Sequence, residues 1–278
     1  MVSIMRKFVP LLILLSLFLS ACSQSNGWEL HHERKAHAQE YKPIPANFRP
    51  RDITVVSAGD SLTEGIGDSK DQGGYIPYIK TLLEKEKGIN KVNIYNFGVK
   101  GNRTTQLLKR IHSDEIKDAI KKADMVILTI GGNDIMKVLK DHISDLKVSV
   151  FSKEKEVYKN HLHTIMDEIV KQNPDVSIVL IGMYNPFSQV FSNIQEMNDI
   201  VAEWNQAGQL VMANYPNAYF VRIEDLFLNP KGDLLYTDHF HPNDKGYQLI
   251  AERLNQTLEV QTIPDLEKKS LMVSKEEN

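Results

Sequence analysis

A serine, a histidine and an aspartate stand in sequence contexts that suit nucleophilic catalysis. Ser61 follows Gly59 and Asp60 at the end of an apolar run, so its hydroxyl is expected on a tight turn. His241 lies three residues after Asp238, which allows the carboxylate to reach one imidazole nitrogen within a single loop. Acyl transfer needs a hydroxyl nucleophile, a base that takes its proton and an acid that orients the base. These positions predict Ser61 as nucleophile, His241 as base and Asp238 as acid.

Three hydrogen-bond donors complete the set that acyl transfer requires. They are the backbone N–H of Ser61, the backbone N–H of Gly101 and the side-chain amide of Asn133, and each follows a run of apolar residues. Converging donors stabilise the negative oxygen of a tetrahedral intermediate, and removing one donor typically costs about 2.7–4 kcal/mol of transition-state stabilisation. Glycine suits the second position because it has no Cβ to block the approach of a substrate to the backbone. We expect these donors to form an oxyanion hole.

Five short runs rich in β-branched residues predict the strands that position these side chains. They alternate with amphipathic segments of helical period, a pattern typical of a parallel sheet covered by helices on both faces. In such a sheet ligands bind beyond the carboxyl ends of the strands, where the candidate residues stand. The sequence predicts one α/β domain of about five strands: Ile53 to Ala58, Val92 to Val99, Met125 to Ile130, Ser177 to Met183 and Ala218 to Ile223.

Helices are predicted between these strands. One spans roughly Thr104 to Lys121, and another spans Pro242 to Leu258 with proline at its first position, where a missing N–H is tolerated. Three apolar stripes predict further helices. Their members are Tyr75, Ile79, Leu82 and Leu83 in the first, Val157, Leu162, Ile165, Ile169 and Val170 in the second, and Met197, Ile200, Val201, Trp204, Ala207, Leu210 and Val211 in the third.

Four motifs resemble, in order, the sequence blocks of the SGNH hydrolase superfamily, also called GDSL lipases and esterases: Gly59-Asp60-Ser61-Leu62, Gly98-x-x-Gly101, Gly131-Gly132-Asn133-Asp134 and Asp238-x-x-His241-Pro242. The resemblance implies a flavodoxin-like three-layer α/β/α sandwich and hydrolysis of esters or thioesters without a cofactor. It implies the same roles for Ser61, Asp238 and His241, with Ser61, Gly101 and Asn133 as oxyanion donors. The sequence departs from many members at Asn102-Arg103-Thr104, where they carry Gly-Asp-Thr or a similar triplet.

The composition excludes several classes of protein. Lys+Arg 33 against Asp+Glu 36 gives a formal charge of −3, whereas proteins that grip nucleic acid present a concentrated excess of basic residues. A hydrophobic fraction of 42% with 25% charged residues is typical of globular domains. A single Cys allows neither an internal disulfide nor a Cys-based zinc site. We expect a small ester as substrate, with no nucleic acid and no obligate protein partner.

The single cysteine stands at the end of an N-terminal apolar segment. Arg6 and Lys7 precede the run from Phe8 to Leu19, which is the layout of a secretory signal peptide and is shorter than the roughly 20 residues of a membrane span. Leu19-Ser20-Ala21-Cys22 resembles a bacterial lipobox, in which the Cys thiol receives a diacylglyceryl group, and two acyl chains suffice for stable anchoring. With this motif the sequence also resembles the lipoprotein esterases of the same superfamily found in Gram-positive bacteria. The alternatives are a plain signal peptide with an incidental Cys, or an uncleaved anchor.

These features predict the domain organisation. Residues 1–21 form a lipoprotein signal peptide, and residues 22–50 form a polar tether from the lipid anchor on Cys22. Residues 51–258 form the hydrolase domain, and residues 259–278 form a flexible tail. The mature protein is expected at the cell membrane, on its extracytoplasmic face.

Other chemistries have weaker support in the sequence. The Ser-x-x-Lys pairs at Ser144 and Ser152 lack the Ser-Asp-Asn and Lys-Thr-Gly motifs that accompany this spacing in penicillin-binding proteins. A metal ion bound by Asp238, His239 and His241 would usually require a further protein ligand. No other predicted strand end carries a histidine or a pair of carboxylates that could supply it. We therefore predict no metal and no cofactor. A lipid-anchored binding protein that kept the fold without the reaction is the alternative class, although a pure binder has no need of a complete triad and oxyanion hole.

The aromatic segment after the fourth predicted strand suggests the substrate. Tyr184, Phe187 and Phe191 are predicted to line an apolar site for a short-to-medium acyl chain, although they are equally suited to seal the loop onto the core. We expect a carboxylic ester as substrate. Acetylated cell-wall carbohydrate is the alternative, consistent with an anchored enzyme that faces the wall.

Overall fold

Five parallel strands form the central sheet. The computed structural model describes residues 50–145, 147–188, 195–228, 230, 232–263 and 266. The strands are β1 (Arg51–Gly59), β2 (Ile89–Gly98), β3 (Met125–Thr129), β4 (Ser177–Ile181) and β5 (Ala218–Val221). They lie in the order β2-β1-β3-β4-β5, and every neighbouring pair is parallel. This is the strand order of flavodoxin-like folds, so the predicted fold class is confirmed.

Helices connect the strands and cover both faces of the sheet. They are α1 (Ser61–Glu64), α2 (Ile76–Leu83), α3 (Thr104–Arg110), α4 (Asp114–Lys121), α5 (Gly132–Asp141), α6 (Val148–Gln172), α7 (Gln195–Met212), α8 (Glu224–Leu228) and α9 (Asp244–Gln261). Helices α3 to α7 pack on one face, and α2, α8 and α9 pack on the other. The chain therefore forms the three layers that the resemblance implies.

The core lies on both sides of the sheet because β1, β3 and β4 bury residues on both of their faces, whereas much of the edge strand β2 is exposed or only partly buried. In β1, Val56 and Ala58 belong to the cluster under α3 to α7, whereas Ile53 and Val55 belong to the cluster under α2, α8 and α9. All of them are at most 1% exposed. Strands buried on both faces appear in sequence as continuous apolar runs, which is why the central strands were predictable.

The single helix predicted from Thr104 to Lys121 is wrong, because this segment forms α3 and α4. Ser113 is extended between them, with φ −67° and ψ 145°. The break leaves Ile111 and Ile116 both buried in the same cluster. Basic residues end α3 and acidic residues begin α4, and each charge lies at the helix end whose dipole it complements. That charge pattern was the signal for two helices.

Helix α9 begins two residues later than predicted, with Asn243 as its N-cap. The Asn243 side chain accepts the N–H of Gly246 at 3.0 Å, as capping residues do. Pro242 instead pairs with Leu235 in an isolated antiparallel bridge. The proline therefore stiffens the loop that carries His241 and does not open the helix.

Two predicted stripe residues face solvent. Val157 is 39% exposed and Leu210 is 58% exposed. Tyr158, which follows Val157, is 1% exposed and occupies the core position, so the second stripe was out of phase by one residue at this point. In the third stripe only the inclusion of Leu210 was wrong, because its neighbour Val211, also predicted, is 1% exposed.

The two ends of the chain are described only in part. Residues 1–49 lie outside the described residues, and with them lie the predicted signal peptide, Cys22 and all of the tether except Pro50. No helix in the described part of the chain has the length and apolarity that crossing a membrane requires. Helix α9 continues three residues beyond the predicted domain end, to Gln261, and Ile263 and Leu266 are buried. Residues 267–278 of the predicted tail lie outside the description.

Candidate active site

Ser61 lies where β1 turns into α1. Asp60 caps this short helix, and its side chain accepts the N–H of Leu62 at 3.1 Å. Gly65 ends the helix in the left-handed region at φ 95°, a conformation that favours glycine. Ser61 is 3% exposed and lines a cavity at this end of the sheet. The Gly-Asp-Ser sequence thus folds into the tight turn that was predicted.

His241 is positioned by a short, hydrogen-bonded loop. Asp238 accepts the backbone N–H groups of Phe240 and His241, both at 3.0 Å. The N–H of Tyr236 donates to the carbonyl of His241 at 2.7 Å, beside the bridge formed by Pro242. These contacts hold the backbone on both sides of His241, a residue that is 7% exposed.

The three predicted triad residues come together in space. His241 Nε2 lies 2.9 Å from Ser61 Oγ, although the two residues are 180 positions apart in the chain. His241 Nδ1 lies 2.6 Å from Asp238 Oδ2. An ionised carboxylate only accepts hydrogen bonds, so Nδ1 carries the proton and Nε2 is left to accept the serine hydroxyl. The arrangement can move the serine proton to the histidine during attack on an acyl carbon.

Asp238 is suited to stay ionised. Burial acts to raise its pKa, but hydrogen bonds from the His241 ring and from the N–H groups of His241 and Phe240 together hold the pKa below its ordinary value. A charged carboxylate in this place favours one tautomer of the imidazole and is able to stabilise an imidazolium ion.

Two of the predicted oxyanion donors line the same cavity. Ser61 and Asn133 both do so, and Asn133 is the second residue of α5. The Asn133 amide donates one hydrogen to the carbonyl of Asn102 at 3.0 Å. Its NH2 group has two hydrogens, so the second is available to an oxyanion.

Gly101 does not belong to the described lining of that cavity and lies in the adjacent loop, one residue before Asn102. A Cβ at Gly101 would meet no protein atom within 4 Å, so no neighbouring residue requires glycine at this position. The backbone does favour glycine, because φ at Gly101 is 77°, in the left-handed region.

Asp60 is a buried carboxyl group to which the sequence motifs assigned no role. Its Oδ1 accepts the N–H of Leu62 and the hydroxyl of Thr129, the latter at 2.9 Å. Burial raises the pKa of Asp60 to about 7, against the lowering effect of these two hydrogen bonds. Its place directly before Ser61 was the signal that marked it.

The cavity beside Ser61 is small and mostly apolar, with a volume of about 50 Å³. Tyr184 lines it as predicted, and its hydroxyl donates to the carbonyl of Phe240 at 2.6 Å while its ring stacks on Phe227 at 3.9 Å. Phe187 was also predicted to line the cavity but is not among its described lining residues, and its ring instead contacts Phe240 edge-on at 6.2 Å between centroids. Phe191 lies outside the described residues. The lining also contains apolar residues that were not among the predicted pocket residues: Leu62, Ile130, Ile181, Met183, Pro186 and Phe240.

The competing motifs have other contacts. His239 is exposed, with φ at 54°, while both ring nitrogens of His241 face the triad partners. Lys155 Nζ lies 2.7 Å from Glu203, and Ser152 donates its hydroxyl to the carbonyl of Val148. Neither pattern builds a second reactive centre in the part of the chain that the structure describes.

Comparison with known proteins agrees with this geometry. The family model described as GDSL-like Lipase/Acylhydrolase matches residues 57–249. The protein YpmR of Bacillus subtilis (strain 168) is 34% identical over 257 residues, which cover 91% of this chain and 95% of that protein. An acetylxylan esterase of Geobacillus stearothermophilus is 27% identical over 206 residues, or 71% of this chain and 87% of that enzyme.

A solved structure shares the fold. The lipase Lip_vut3 from a goat rumen metagenome has a TM-score of 0.67 and 22% identity, with 74% of this chain and 97% of that chain covered. The family model spans well over half of the sequence and contains the segments that carry Ser61, Gly101, Asn133, Asp238 and His241. The chain therefore belongs to the GDSL-like lipase/acylhydrolase family of ester hydrolases.

Proposed function

We propose that the protein is a serine ester hydrolase that forms an acyl-enzyme on Ser61. The observation that carries this proposal is the continuous contact from Ser61 Oγ to His241 Nε2, at 2.9 Å, and from His241 Nδ1 to Asp238, at 2.6 Å. Ser61 Oγ attacks the ester carbonyl carbon while His241 takes the hydroxyl proton. His241 then gives this proton to the departing alkoxide, and the C–O bond of the ester breaks.

The second half of the reaction uses the same groups. A water molecule gives a proton to His241 and attacks the acyl carbon, after which Ser61 regains its proton and the carboxylic acid leaves. In both halves negative charge develops on the former carbonyl oxygen. The N–H groups of Ser61 and Gly101 and the amide of Asn133 are the proposed donors to this oxygen.

We propose a short acyl group, with acetyl as the best fit. The cavity beside Ser61 has about 50 Å³, whereas pockets for larger ligands usually hold about 300–1,000 Å³. Its lining is mainly apolar, which suits a methyl group. The cavity volume thus favours the short end of the short-to-medium range of acyl chain lengths expected from the sequence.

An ester panel on the full chain tests the proposal. We expect acetyl esters to be hydrolysed faster than butyryl esters, and octanoyl esters to be the poorest substrates. Ser61→Ala should lower turnover by about 10⁴-fold or more while the circular dichroism spectrum is retained. A substantial residual rate in this variant would show that Ser61 is not the nucleophile.

Covalent labelling separates an enzyme from a binding protein with the same fold. A fluorophosphonate should modify the wild-type chain at Ser61 and should not modify Ser61→Ala. Ser152→Ala is the matched control, since Ser152 is an exposed serine on α6, and it should be labelled like wild type. An unlabelled wild-type protein would favour the binding class.

The second candidate is a deacetylase of acetylated carbohydrate. It is favoured by the small acyl cavity and by the similarity to the acetylxylan esterase, at 27% identity. Acetate release from acetylated oligosaccharides should then exceed release from simple alkyl acetates at equal concentration. Equal rates on both substrates would leave the simple ester hydrolase as the better description.

We also propose that Cys22 carries a lipid that holds the enzyme at the extracytoplasmic face of the membrane. The support is the sequence, with its short apolar run and the Leu-Ser-Ala-Cys motif. Cys22→Ser should move the protein from the membrane fraction to the soluble fraction and abolish incorporation of a labelled fatty acid. Its kcat on a soluble acetyl ester should stay unchanged, because Ser61, His241 and Asp238 are all retained.

A further inference from the structure

We propose that Asp134 and Thr104 form a positioning pair that sets the separation between two oxyanion donors, the Gly101 N–H and the Asn133 amide. This inference rests on the proposed function, since it concerns how the same site stabilises an oxyanion. Neither residue touches the reacting atoms, so both are positioning residues.

The pair joins two elements that are distant in sequence. Asp134 Oδ1 accepts the hydroxyl of Thr104 at 2.6 Å, and Asp134 Oδ2 accepts the N–H of Thr104 at 3.0 Å. Thr104 is fully buried and begins α3, so its N–H has no partner within that helix. One carboxylate thus satisfies both donors of Thr104 and fixes the start of α3 against the start of α5.

A second contact lies one residue away and runs in parallel. Asn133 Nδ2 donates to the carbonyl of Asn102 at 3.0 Å, and Asn133 precedes Asp134 on α5. The loop from Gly101 to Thr104 is therefore tied to α5 at two points. Gly101 belongs to this loop and Asn133 belongs to α5. The distance between their donor groups therefore depends on the two hydrogen-bonded contacts that join the loop to the helix.

A third element supports the pair. His161, on α6, has Nδ1 at 3.0 Å from Thr104 Oγ1. The Thr104 hydroxyl gives its hydrogen to Asp134, so its oxygen accepts the hydrogen of the His161 ring. Burial raises the pKa of Asp134, and the hydrogen bonds from Thr104 and the charges of Arg103 and His161 oppose this rise. The hydroxyl of Thr104 is thus fixed between a carboxylate and an imidazole.

The chemical consequence concerns the transition state. The oxyanion is absent from the bound ester and develops as the serine attacks, so donors aimed at it raise kcat more than they strengthen substrate binding. A displacement of about 1 Å at such a donor can cost on the order of 10²-fold in rate. Loosening the pair should therefore lower kcat and leave KM nearly unchanged.

The experiment compares Thr104→Val with Thr104→Ser in the full chain on an acetyl ester. Valine has nearly the shape of threonine but lacks the hydroxyl, whereas serine keeps it. We expect Thr104→Val to lower kcat by about 10-fold or more with KM within about twofold, and Thr104→Ser to restore most of the rate. Asp134→Asn should lower kcat at least as far.

Asp124→Asn is the matched control. Like Asp134, Asp124 accepts a backbone N–H from a distant segment: its Oδ2 accepts the N–H of Thr54 in β1 at 2.9 Å. Its Oδ1 also forms an ion pair with the Arg51 guanidinium at 2.8 Å. It precedes β3 and so lies at the opposite end of the sheet from the site. Asp124→Asn should lower the urea midpoint of unfolding without lowering kcat per folded molecule.

The outcomes are distinguishable from those of the proposed function. A wild-type chain without turnover or fluorophosphonate labelling overturns both proposals. A labelled, active wild type overturns the positioning role alone if Thr104→Val keeps its kcat, if Thr104→Ser is as slow as Thr104→Val, or if the rate falls only in proportion to the folded fraction.

Discussion

The imidazole of His241 is held by different partners at its two nitrogens. The Asp238 carboxylate accepts from Nδ1, and the Ser61 hydroxyl lies at Nε2. Asp238 also accepts two backbone N–H groups, so one side chain both shapes the loop and selects the tautomer. At the scale of the residue, reactivity therefore depends on the proton distribution around one ring.

Asp238→Asn should separate these two roles of Asp238. An asparagine oxygen can still accept the backbone N–H groups, but its NH2 group donates to Nδ1 and favours the tautomer whose Nε2 cannot accept the serine proton. We expect kcat to fall by about 10³–10⁴-fold with little loss of stability. Asp225→Asn, which alters an exposed ion pair with Arg253, is the control and should keep kcat. A loss of less than 10-fold at Asp238 would argue against its role as the orienting acid.

Asp60 predicts a pH dependence of stability. Its folded pKa, about 7, lies above the ordinary value of 3.8, so the folded state binds more protons than the unfolded state between these values. Stability should therefore fall as pH rises through this window and level off above about pH 7. Asp60→Asn removes this dependence, so the variant should gain on the order of 2 kcal/mol relative to wild type between pH 5 and pH 8. Urea unfolding at pH 5 and pH 8 measures the free energy of unfolding of both proteins. If the difference between the variant and wild type is the same at both pH values, burial does not raise the pKa of Asp60.

At the scale of elements, Ser61 is placed by the close approach of α1 to neighbouring backbone. A Cβ on Gly98, at the end of β2, would lie 2.0 Å from the N atom of Glu64 in α1. On the other side, a Cβ on Gly65 would lie 2.3 Å from the N atom of Gly74. Main chain thus closely approaches α1, which carries Ser61, at both glycines. Gly98 is required for this contact, and Gly65 is required both for the contact and for its left-handed φ of 95°.

Gly98→Ala should therefore disturb both stability and rate. The added methyl group meets backbone atoms, which cannot rotate away, so we expect a loss of about 1–3 kcal/mol in the free energy of unfolding and a lower kcat through displacement of Ser61. Urea denaturation and turnover of an acetyl ester measure the two effects. Gly132→Ala is the stability control, because a Cβ there meets nothing within 4 Å. Equal stability of the two variants would show that α1 can shift freely.

At the scale of the whole molecule, the strand order brings the site together. Gly101, Ser61 and Asn133 follow β2, β1 and β3, which are neighbours in the sheet. The chain leaves β1 for β2 on one side and crosses to β3 on the other, which is the switch point where open α/β sheets bind ligands. His241 arrives from beyond β5 on a separate loop. The proposed oxyanion donors thus follow adjacent strands, and the proposed base comes from the far end of the domain.

Removal of residues 1–49 tests whether the domain is complete for catalysis. Every residue that we assign to the triad or the oxyanion hole lies between Ser61 and His241. The shortened chain should therefore hydrolyse a soluble acetyl ester with a kcat within about twofold of the full chain. A loss of more than about 10-fold would show that the N-terminal segment contributes to the site.

Much of the fold and the triad could be predicted from local sequence signals. Runs rich in β-branched residues marked all five strands. In β3 and β4 these runs are continuous and apolar, because the strands are buried on both faces of the sheet. Ser61, Asn133 and Gly101 were recognisable because they stand directly after predicted strands, where such sheets bind ligands. The phase of α6 at Val157 and the break before α4 were missed, because neighbouring apolar residues fit more than one helical register.

The sequence by itself determined the alternation of strands and helices, the chemistry of the triad residues and the turns on which they lie, since propensity and turn chemistry act within a few residues. Only the tertiary structure decided which groups meet across 30 to 180 positions: Asp134 with Thr104, Asn133 with Asn102, and His241 with Ser61. It also decided the size of the cavity beside Ser61 and the burial that raises the pKa of Asp60. These properties depend on the packing of several elements against one another, and no single segment of the chain contains that information.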